Sequence, residues 1–147
     1  MVGSSNRYRF NGHEYEIIKT VVKWSVAKAY CEMHGGHLAT VNSEEEERFI
    51  EKIIGFNHKI DFYWLGGTDE NTEGTWEWVT GEEFSYQNWG GGNPNNFLHT
   101  GYGRENYLGI VGKTTFIFAD RFEWNDFADA TYDGIADYKP AFICEWE

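Results

Sequence analysis

Residues 24–55, WSVAKAYCEMHGGHLATVNSEEEERFIEKIIG, carry two helical patterns and decide the fold class of this chain. In the first pattern four residues recur at helical spacing: Trp24, Ala27, Tyr30 and Cys31. Gly35 and Gly36 follow, and glycine is common just beyond the end of a helix. The spacing predicts a helix from Trp24 to His34 with Cys31 facing the core.

The second pattern begins with a helix N-terminal signal. Ser43 and Glu46 form an S-x-x-E capping box, in which the serine side chain and the glutamate each satisfy a free backbone N–H group. Four apolar residues then lie on one side of the predicted helix: Phe49, Ile50, Ile53 and Ile54. Gly55 follows them and ends the helix.

Outside this segment the chain is typical of strands. HEYEII, residues 13–18, precedes the helices, and aromatic-rich runs begin after them at Phe62 and Thr75. Further runs occupy three ranges: 107–111, 114–119 and 141–146. Helices in the first half followed by strands in the second predict an α+β fold, and a chain of 147 residues fits one domain.

Composition excludes several classes of protein. Aromatic residues make up 18% of the chain, which is inconsistent with disorder. The net charge of -12 makes nucleic acid and anionic membranes poor partners, because phosphate groups would be repelled. No apolar run approaches the ~20 residues that cross a bilayer, so we expect no membrane insertion. An acidic chain suits a cation where its carboxylates converge, whereas scattered carboxylates only increase solubility.

The beginning of the chain differs from the rest. Gly3, Ser4 and Ser5 are typical of a cloning scar, and no apolar stretch of a signal peptide precedes them. We therefore interpret residues 1–10 as a cloning remnant or linker and residues 11–147 as the domain. We expect this domain to be extracellular or at the cell surface, as a module of a longer chain.

Common catalytic and metal motifs are absent from the sequence. The five histidines and two cysteines show no zinc-ligand spacing, so a zinc site is not expected. A glycosidase needs two carboxylates flanking the scissile bond, and Glu105 with Asp126 is one such pair. With 24 acidic residues, however, such pairs arise easily by chance. We expect no enzymatic activity.

The aperiodic segment GGGNPNNFLHTGYGR, residues 90–104, is the place to look for function, because long loops in compact domains are often functional. Five oxygen-bearing side chains lie in or after it: Asn93, Asn95, Glu105, Asn125 and Asp126. Ca²⁺ prefers such hard oxygen ligands, and a cis peptide at Pro94 would allow Asn93 and Asn95 to face one point. A polar, turn-forming loop without a metal explains the same residues, and both interpretations remain open.

From about Asn11 to Trp146 the chain resembles a C-type lectin-like domain. Several stretches carry the resemblance together: WSVAKAYCEMHGGHLATV, YWLGG, TDENTEGTWEWVTG, the NPN loop, Trp124-Asn125-Asp126 and the closing FICEW. The resemblance implies two helices, two small antiparallel sheets and a long loop region that holds calcium. It also implies a disulfide bond between Cys31 and Cys144. Four tryptophans fall at the family's structural positions: Trp76, Trp78, Trp89 and Trp124.

The resemblance also implies a function for the oxygen-bearing set. Asn93, Asn95, Glu105, Asn125 and Asp126 would bind Ca²⁺ and, through the same side chains, the vicinal hydroxyls of a glycan. Asp69 and Glu73 would form an auxiliary calcium site that shares Glu105, with Asn96 and Asn106 at neighbouring ligand positions. Phe97, Tyr102 and Arg104 lie where they would contact the sugar.

Three departures from the family pattern matter for function. Asn93 replaces the first glutamate of Glu-Pro-Asn, which removes a negative charge. The resulting Asn-Pro-Asn is neither the mannose-type nor the galactose-type motif, so selectivity between these glycans is undecided. Tyr107 replaces an inner cysteine, leaving only the outer disulfide. The alternative interpretation is therefore a protein-binding module on the same scaffold.

Overall fold

The computed structural model describes residues 6–55, 59–99, 101, 103–113, 119–132 and 137–147. The two helices are α1 (Trp24–Met33) and α2 (Glu44–Ile54). The strands, in chain order, are β1 (Tyr8–Phe10), β2 (His13–Ile18), β3 (His37–Leu38), β4 (Phe62–Thr68), β5 (Glu77–Trp78), β6 (Leu98–His99), β7 (Gly103–Arg104), β8 (Tyr107–Val111), β9 (Trp124–Phe127) and β10 (Ala141–Trp146). The predicted α+β class is confirmed.

Both predicted helices are present, and α1 ends at Met33, one residue before the predicted His34. The Ser43 side chain accepts a hydrogen bond from the Glu46 backbone N–H at 3.1 Å, so the N-terminal cap of α2 is formed. Four glutamates occupy the first turn of α2, where the helix dipole favours negative charge: Glu44, Glu45, Glu46 and Glu47. Gly55 ends this helix with a φ of 58°, a conformation that glycine adopts readily.

Eight of the strands form one mixed sheet, and β6 and β7 form a separate two-stranded ribbon. The main path of the sheet runs β1-β2-β10-β4-β8-β9, with β3 paired to β10 and β5 paired to β4. The prediction of two antiparallel sheets is wrong in this detail, because β10 pairs with β4 in parallel. All seven residues of β4 are buried, as expected for a central strand that is covered on both faces.

The sheet begins within residues 1–10, the segment interpreted as a remnant or linker. Tyr8–Phe10 forms β1 and pairs with β2 in antiparallel register. The Phe10 ring stacks on Phe49 of α2 with ring centroids 4.9 Å apart. The folded part of the chain therefore starts before residue 11.

Of the strand-like run 114–119, residues 114–118 lie outside the described residues.

The disulfide bond between Cys31 and Cys144 is confirmed, and it joins α1 to β10 across a sequence separation of 113 residues. Both cysteines are fully buried. Nearby, the Trp24 indole N–H donates to the Leu65 carbonyl oxygen at 2.9 Å, so α1 is also attached to β4. These contacts fix the first helix against the centre of the sheet.

The predicted tryptophans belong to the core. Trp78 and Trp124 are buried, and Trp76 and Trp89 are partly buried against the same cluster. Their indole rings pack in pairs, with Trp76 and Trp89 centroids 4.8 Å apart and Trp78 and Trp124 centroids 5.7 Å apart. Trp78 and Trp89 both pack against Trp124, so this cluster contacts β9.

Gly109 of β8 allows β8 to pack closely on its neighbours. A Cβ atom at this position would lie 2.8 Å from Cδ2 of Phe62 and 2.9 Å from Cε2 of Phe127. Because such contacts are too short for carbon atoms, any larger residue would push β8 away from β4 and β9.

Among the described residues, neither helix has the length and apolar character that crossing a membrane requires.

Candidate functional site

The aperiodic loop is attached to β9 by backbone hydrogen bonds. The Gly90 N–H donates to the Trp124 carbonyl oxygen at 2.9 Å, and the Trp124 N–H donates to the Asn88 carbonyl oxygen at 2.8 Å. This attachment brings the loop that contains Asn93 and Asn95 beside Asn125 and Asp126, which are distant from it in sequence.

Asp126 is the central acceptor of the site. Its carboxylate is fully buried and accepts hydrogen bonds from two loop backbone N–H groups, Asn95 at 3.1 Å and Asn96 at 2.8 Å. The Asn95 side-chain oxygen in turn accepts from the Phe97 N–H at 3.2 Å. Asn96 has a φ of 51°, and the Asn93–Pro94 peptide bond is cis. The loop therefore wraps directly around the Asp126 side chain.

Burial raises the pKa of Asp126, although the N–H donors of Asn96 and Asn95 act in the opposite direction. The negative charge of Asp69 raises that pKa further. Two acidic side chains thus act on each other in a largely desolvated region. Such an arrangement favours a bound cation, because positive charge there offsets both desolvation and repulsion.

Asn125 contributes a second acceptor. It lies on β9 opposite Gly109, and its side-chain oxygen Oδ1 is buried without a hydrogen-bond donor among the described residues. A buried polar atom without a partner is costly, and a hard cation is one ligand that satisfies a carbonyl oxygen. The residues present therefore fit a calcium ion in donor chemistry.

The remaining predicted ligands lie in the same region. Glu105 is buried, and its backbone N–H donates to the Phe97 carbonyl oxygen at 3.1 Å. The Asn93 N–H donates to the Gly90 carbonyl oxygen at 3.0 Å. The structure thus places Asn95 and Asp126 in direct contact and holds Asn93 and Glu105 by backbone hydrogen bonds within the loop region.

The predicted auxiliary residues form an adjoining cluster. Asp69 is buried, and its Oδ2 accepts from the Gly74 N–H at 2.9 Å. With its amide nitrogen facing the carboxylates, Asn106 donates to Asp69 Oδ1 at 3.0 Å and to Glu73 Oε1 at 3.1 Å. Burial, followed by the adjacent Asp69, raises the pKa of Glu73. Asp69 and Glu73 therefore meet through Asn106.

Asn106 also connects this cluster to the sheet, a role that the sequence did not predict. The backbone carbonyl oxygen of Asn106 accepts from the Thr68 hydroxyl at 2.8 Å and from the Asp69 backbone N–H at 3.2 Å. A single asparagine directly after a candidate ligand gives no sequence signal of this role. Asn106 thus couples the acidic cluster to the ends of β4 and β8.

The structure describes two of the three residues that were predicted to contact the sugar. Phe97 is 54% exposed, and the neighbouring Leu98, which the sequence did not single out, is 52% exposed. Arg104 donates through Nη1 to the Asn96 carbonyl oxygen at 3.3 Å. Tyr102 lies outside the described residues. The loop therefore presents apolar surface next to an acceptor-rich region.

Comparison with known proteins identifies a family. The model of the lectin C-type domain matches residues 20–102. C-type lectin domain family 4 member F of Mus musculus is 32% identical over 123 residues, which is 81% of this chain and 20% of that protein. Ladderlectin of Oncorhynchus mykiss is 32% identical over 124 residues, 81% of this chain and 58% of that protein. The chain thus spans less than two thirds of either relative.

Solved structures show the same fold. The carbohydrate-recognition domain of the mouse scavenger receptor C-type lectin matches with a TM-score of 0.75 and 28% identity, covering 96% of this chain and 93% of that domain. A complex of SPL-1 with GlcNAc matches with a TM-score of 0.73 and 26% identity, covering 96% and 92%. A calcium-independent type II antifreeze protein, at 24% identity and a TM-score of 0.73 over 98% and 93%, shares the fold alone.

Proposed function

The chain belongs to the C-type lectin domain family, and from this membership we propose that it binds glycans through a calcium ion. The proposed ligands are the five oxygen-bearing residues Asn93, Asn95, Glu105, Asn125 and Asp126. Bound calcium supplies coordination positions that two vicinal sugar hydroxyls can fill. The family is a non-enzymatic, carbohydrate-binding one, so no reaction is proposed.

The observation that carries this proposal is the acceptor-rich environment of Asp126. Its buried carboxylate faces loop N–H groups, and the neighbouring Asn125 Oδ1 is buried without a donor among the described residues. Asp126 and Asn125, which are consecutive in β9, are therefore the two acceptors that we assign to a cation in the loop region. The raised pKa of Asp126 supports the same conclusion, because its charged form lacks adequate solvation.

The proposed role of the asparagines is to recognise the sugar as well as the metal. An asparagine amide offers both an acceptor oxygen and donor N–H groups, whereas a carboxylate only accepts. Asn93 and Asn95 therefore donate to sugar hydroxyl oxygens while Glu105 and Asp126 accept from sugar hydroxyl hydrogens. The glycan is mannose-type or galactose-type, and Asn93 in place of glutamate leaves that choice to experiment.

We assign Asp69 and Glu73, together with Glu105, to an auxiliary calcium site. Support comes from the raised pKa of Glu73, which burial and the Asp69 charge produce. A cation at these oxygens would displace the Asn106 amide from its donor position. Occupancy would link Asp69, which follows β4, to Glu105, which precedes β8.

The proposed location is extracellular or at the cell surface, as a module of a longer chain. The buried disulfide between Cys31 and Cys144 supports an oxidising compartment. The family members reported above also include a receptor domain, which is consistent with display at a surface.

The second candidate function is protein binding by the same domain. The exposed pair Phe97 and Leu98 favours it, because adjacent exposed apolar side chains are common at protein interfaces. The existence of a calcium-independent protein with this fold shows that the scaffold does not require the metal.

A glycan array probed with calcium, and again with EDTA, tests the proposal. We expect binding to a defined glycan class that EDTA abolishes and that Asp126→Asn reduces at least tenfold. Asp129→Asn is the matched control, because Asp129 accepts from the Ser25 N–H and lies outside the ligand set. Glycan binding that persists in EDTA would contradict the shared metal and sugar site. The second candidate would be established if the domain bound no glycan and instead bound a protein ligand, with an affinity that Phe97→Ala reduces.

A further inference from the structure

A second group of metal-ligand side chains lies at the start of β2 and at the end of β10, on elements other than the loop. Ligand atoms of His13, Glu145 and Glu147 all lie within 4.8 Å of one another. His13 Nδ1 is 2.6 Å from Glu145 Oε2 and 3.9 Å from Glu147 Oε1. His13 and Glu145 lie on strands paired in antiparallel register, with Glu14 opposite Trp146, and Glu147 directly follows β10. The strand pairing therefore brings an imidazole and two carboxylates to one end of the sheet.

Each carboxylate uses one oxygen toward His13 and is held through the other. Glu145 Oε1 accepts from the Thr40 backbone N–H at 3.1 Å, which leaves Oε2 facing His13. Glu147 Oε2 contacts His37 Nε2 at 2.9 Å, which leaves Oε1 on the His13 side. Metal sites are commonly built this way, with outer donors that orient the ligating carboxylates.

The burial of the group distinguishes it from a surface ion pair. The Glu145 side chain is almost fully buried, whereas those of His13 and Glu147 are 32% and 57% exposed. The negative charge of Glu46 also acts on Glu145. The group thus combines excess negative charge with a route from solvent, both of which a divalent cation requires.

We propose that His13, Glu145 and Glu147 bind a divalent transition-metal ion of the zinc type, with Thr40 and His37 orienting the two carboxylates. Zinc accepts nitrogen and oxygen ligands together at about 2.0–2.2 Å, and water completes its shell where the protein provides three ligands. Calcium takes oxygen ligands, so the imidazole selects against it. This site is independent of the proposed calcium site.

The present distances are compatible with such an ion after small movements. Tetrahedral coordination at those bond lengths requires ligand atoms about 3.3–3.6 Å apart. The observed separations of 2.6 and 3.9 Å from His13 Nδ1 lie on either side of this value. The ion takes the place of the hydrogen bond between His13 Nδ1 and Glu145 Oε2, and both atoms become ligands.

Isothermal titration of the calcium-saturated protein with zinc chloride tests this inference. We expect one Zn²⁺ per chain, and at least tenfold weaker binding in His13→Ala and in Glu147→Gln. His37→Ala should also weaken Zn²⁺ binding about tenfold, the lower end of the usual effect of an orienting residue. Cobalt substitution gives a second readout, because visible absorption bands report ligand geometry and should disappear in His13→Ala.

Two controls separate this site from other causes of zinc binding. His34→Ala should leave Zn²⁺ affinity unchanged, because His34 is an exposed histidine whose ring faces the Tyr30 carbonyl oxygen. Asp126→Asn should also leave Zn²⁺ affinity unchanged, although this variant should weaken calcium binding. Measuring both affinities therefore distinguishes failure of one site from failure of the other. Zinc binding weaker than millimolar, or binding in His13→Ala and Glu147→Gln that is as strong as in the unsubstituted protein, would show that these residues form only a structural ion pair.

Discussion

The indole N–H of Trp124 donates to Oε1 of Glu47 at 2.9 Å, and both side chains are fully buried. This hydrogen bond connects α2 to the strand that carries Asn125 and Asp126. Glu47 Oε2 has no hydrogen-bond partner among the described residues. The buried carboxyl group therefore supports the candidate site at the cost of incomplete solvation, and its protonation should control stability.

Stability should fall as pH rises through the range in which Glu47 ionises. Burial, followed by the neighbouring Glu51 carboxyl group, raises the pKa of Glu47 from 4.5 to about 9. Between these values the folded state binds one more proton than the unfolded state, so ionisation favours unfolding. We compare the free energy of unfolding of Glu47→Gln with that of the wild type. The difference, variant minus wild type, should increase by up to about 1.4 kcal/mol per pH unit.

Urea denaturation between pH 5 and pH 9 measures this relative slope. Glu45→Gln is the control, because Glu45 is exposed on the same helix and its replacement should leave the slope unchanged. A parallel pH dependence in wild type and Glu47→Gln would show that Glu47 remains ionised in the folded protein.

Calcium should raise the thermal unfolding midpoint of this domain. Binding only to the folded state stabilises it by about 2.7 kcal/mol at a calcium concentration one hundred times the dissociation constant. Asp126→Asn should lose most of this increase, because Asp126 is the buried carboxylate that the loop surrounds. Differential scanning calorimetry with millimolar calcium and with EDTA measures the shift, and Asp129→Asn should retain it.

Asn95→Asp should separate metal binding from sugar recognition. Its backbone N–H still donates to Asp126, and the new carboxylate still offers an oxygen ligand, so calcium binding should persist. The side-chain N–H donors are lost, however, and a sugar hydroxyl that accepted from them would meet an acceptor instead. We expect at least tenfold weaker binding of the original sugar or a changed preference.

Calorimetric titration with calcium and then with sugar tests the Asn95 prediction. Asn11→Asp adds the same charge at an exposed turn far from the loop in sequence and serves as control. Unchanged sugar affinity and selectivity in Asn95→Asp would mean that the Asn95 amide does not contact the glycan.

Removal of the disulfide should destabilise the domain strongly. Replacing Cys31 and Cys144 together by alanine should lower the free energy of unfolding by about 2–5 kcal/mol, the usual range for a native disulfide in a small domain. Guanidinium denaturation measures the change, and reduction of the wild-type protein should produce a similar loss. Detection of two reactive thiols in the denatured, unreduced protein would contradict the bond.

The sequence by itself determined the local structure of this chain. The apolar spacing around Trp24 and the capping box at Ser43 specified both helices, because these signals act within one or two turns. The run after Phe62 specified a buried strand for a similar reason. The resemblance added the disulfide and the set of candidate ligands around Asn95, which spacing alone left undecided.

Only the tertiary structure decided the long-range pairings. The parallel contact of β10 with β4, the wrapping of the Asn95 loop around Asp126, and the hydrogen bond from Trp124 to Glu47 all join distant segments. His13 and Glu145, 132 residues apart, likewise meet without any motif that spacing could reveal. The physical reason is that packing between segments far apart in the chain sets these contacts, and a local sequence pattern does not specify which distant segment is the partner.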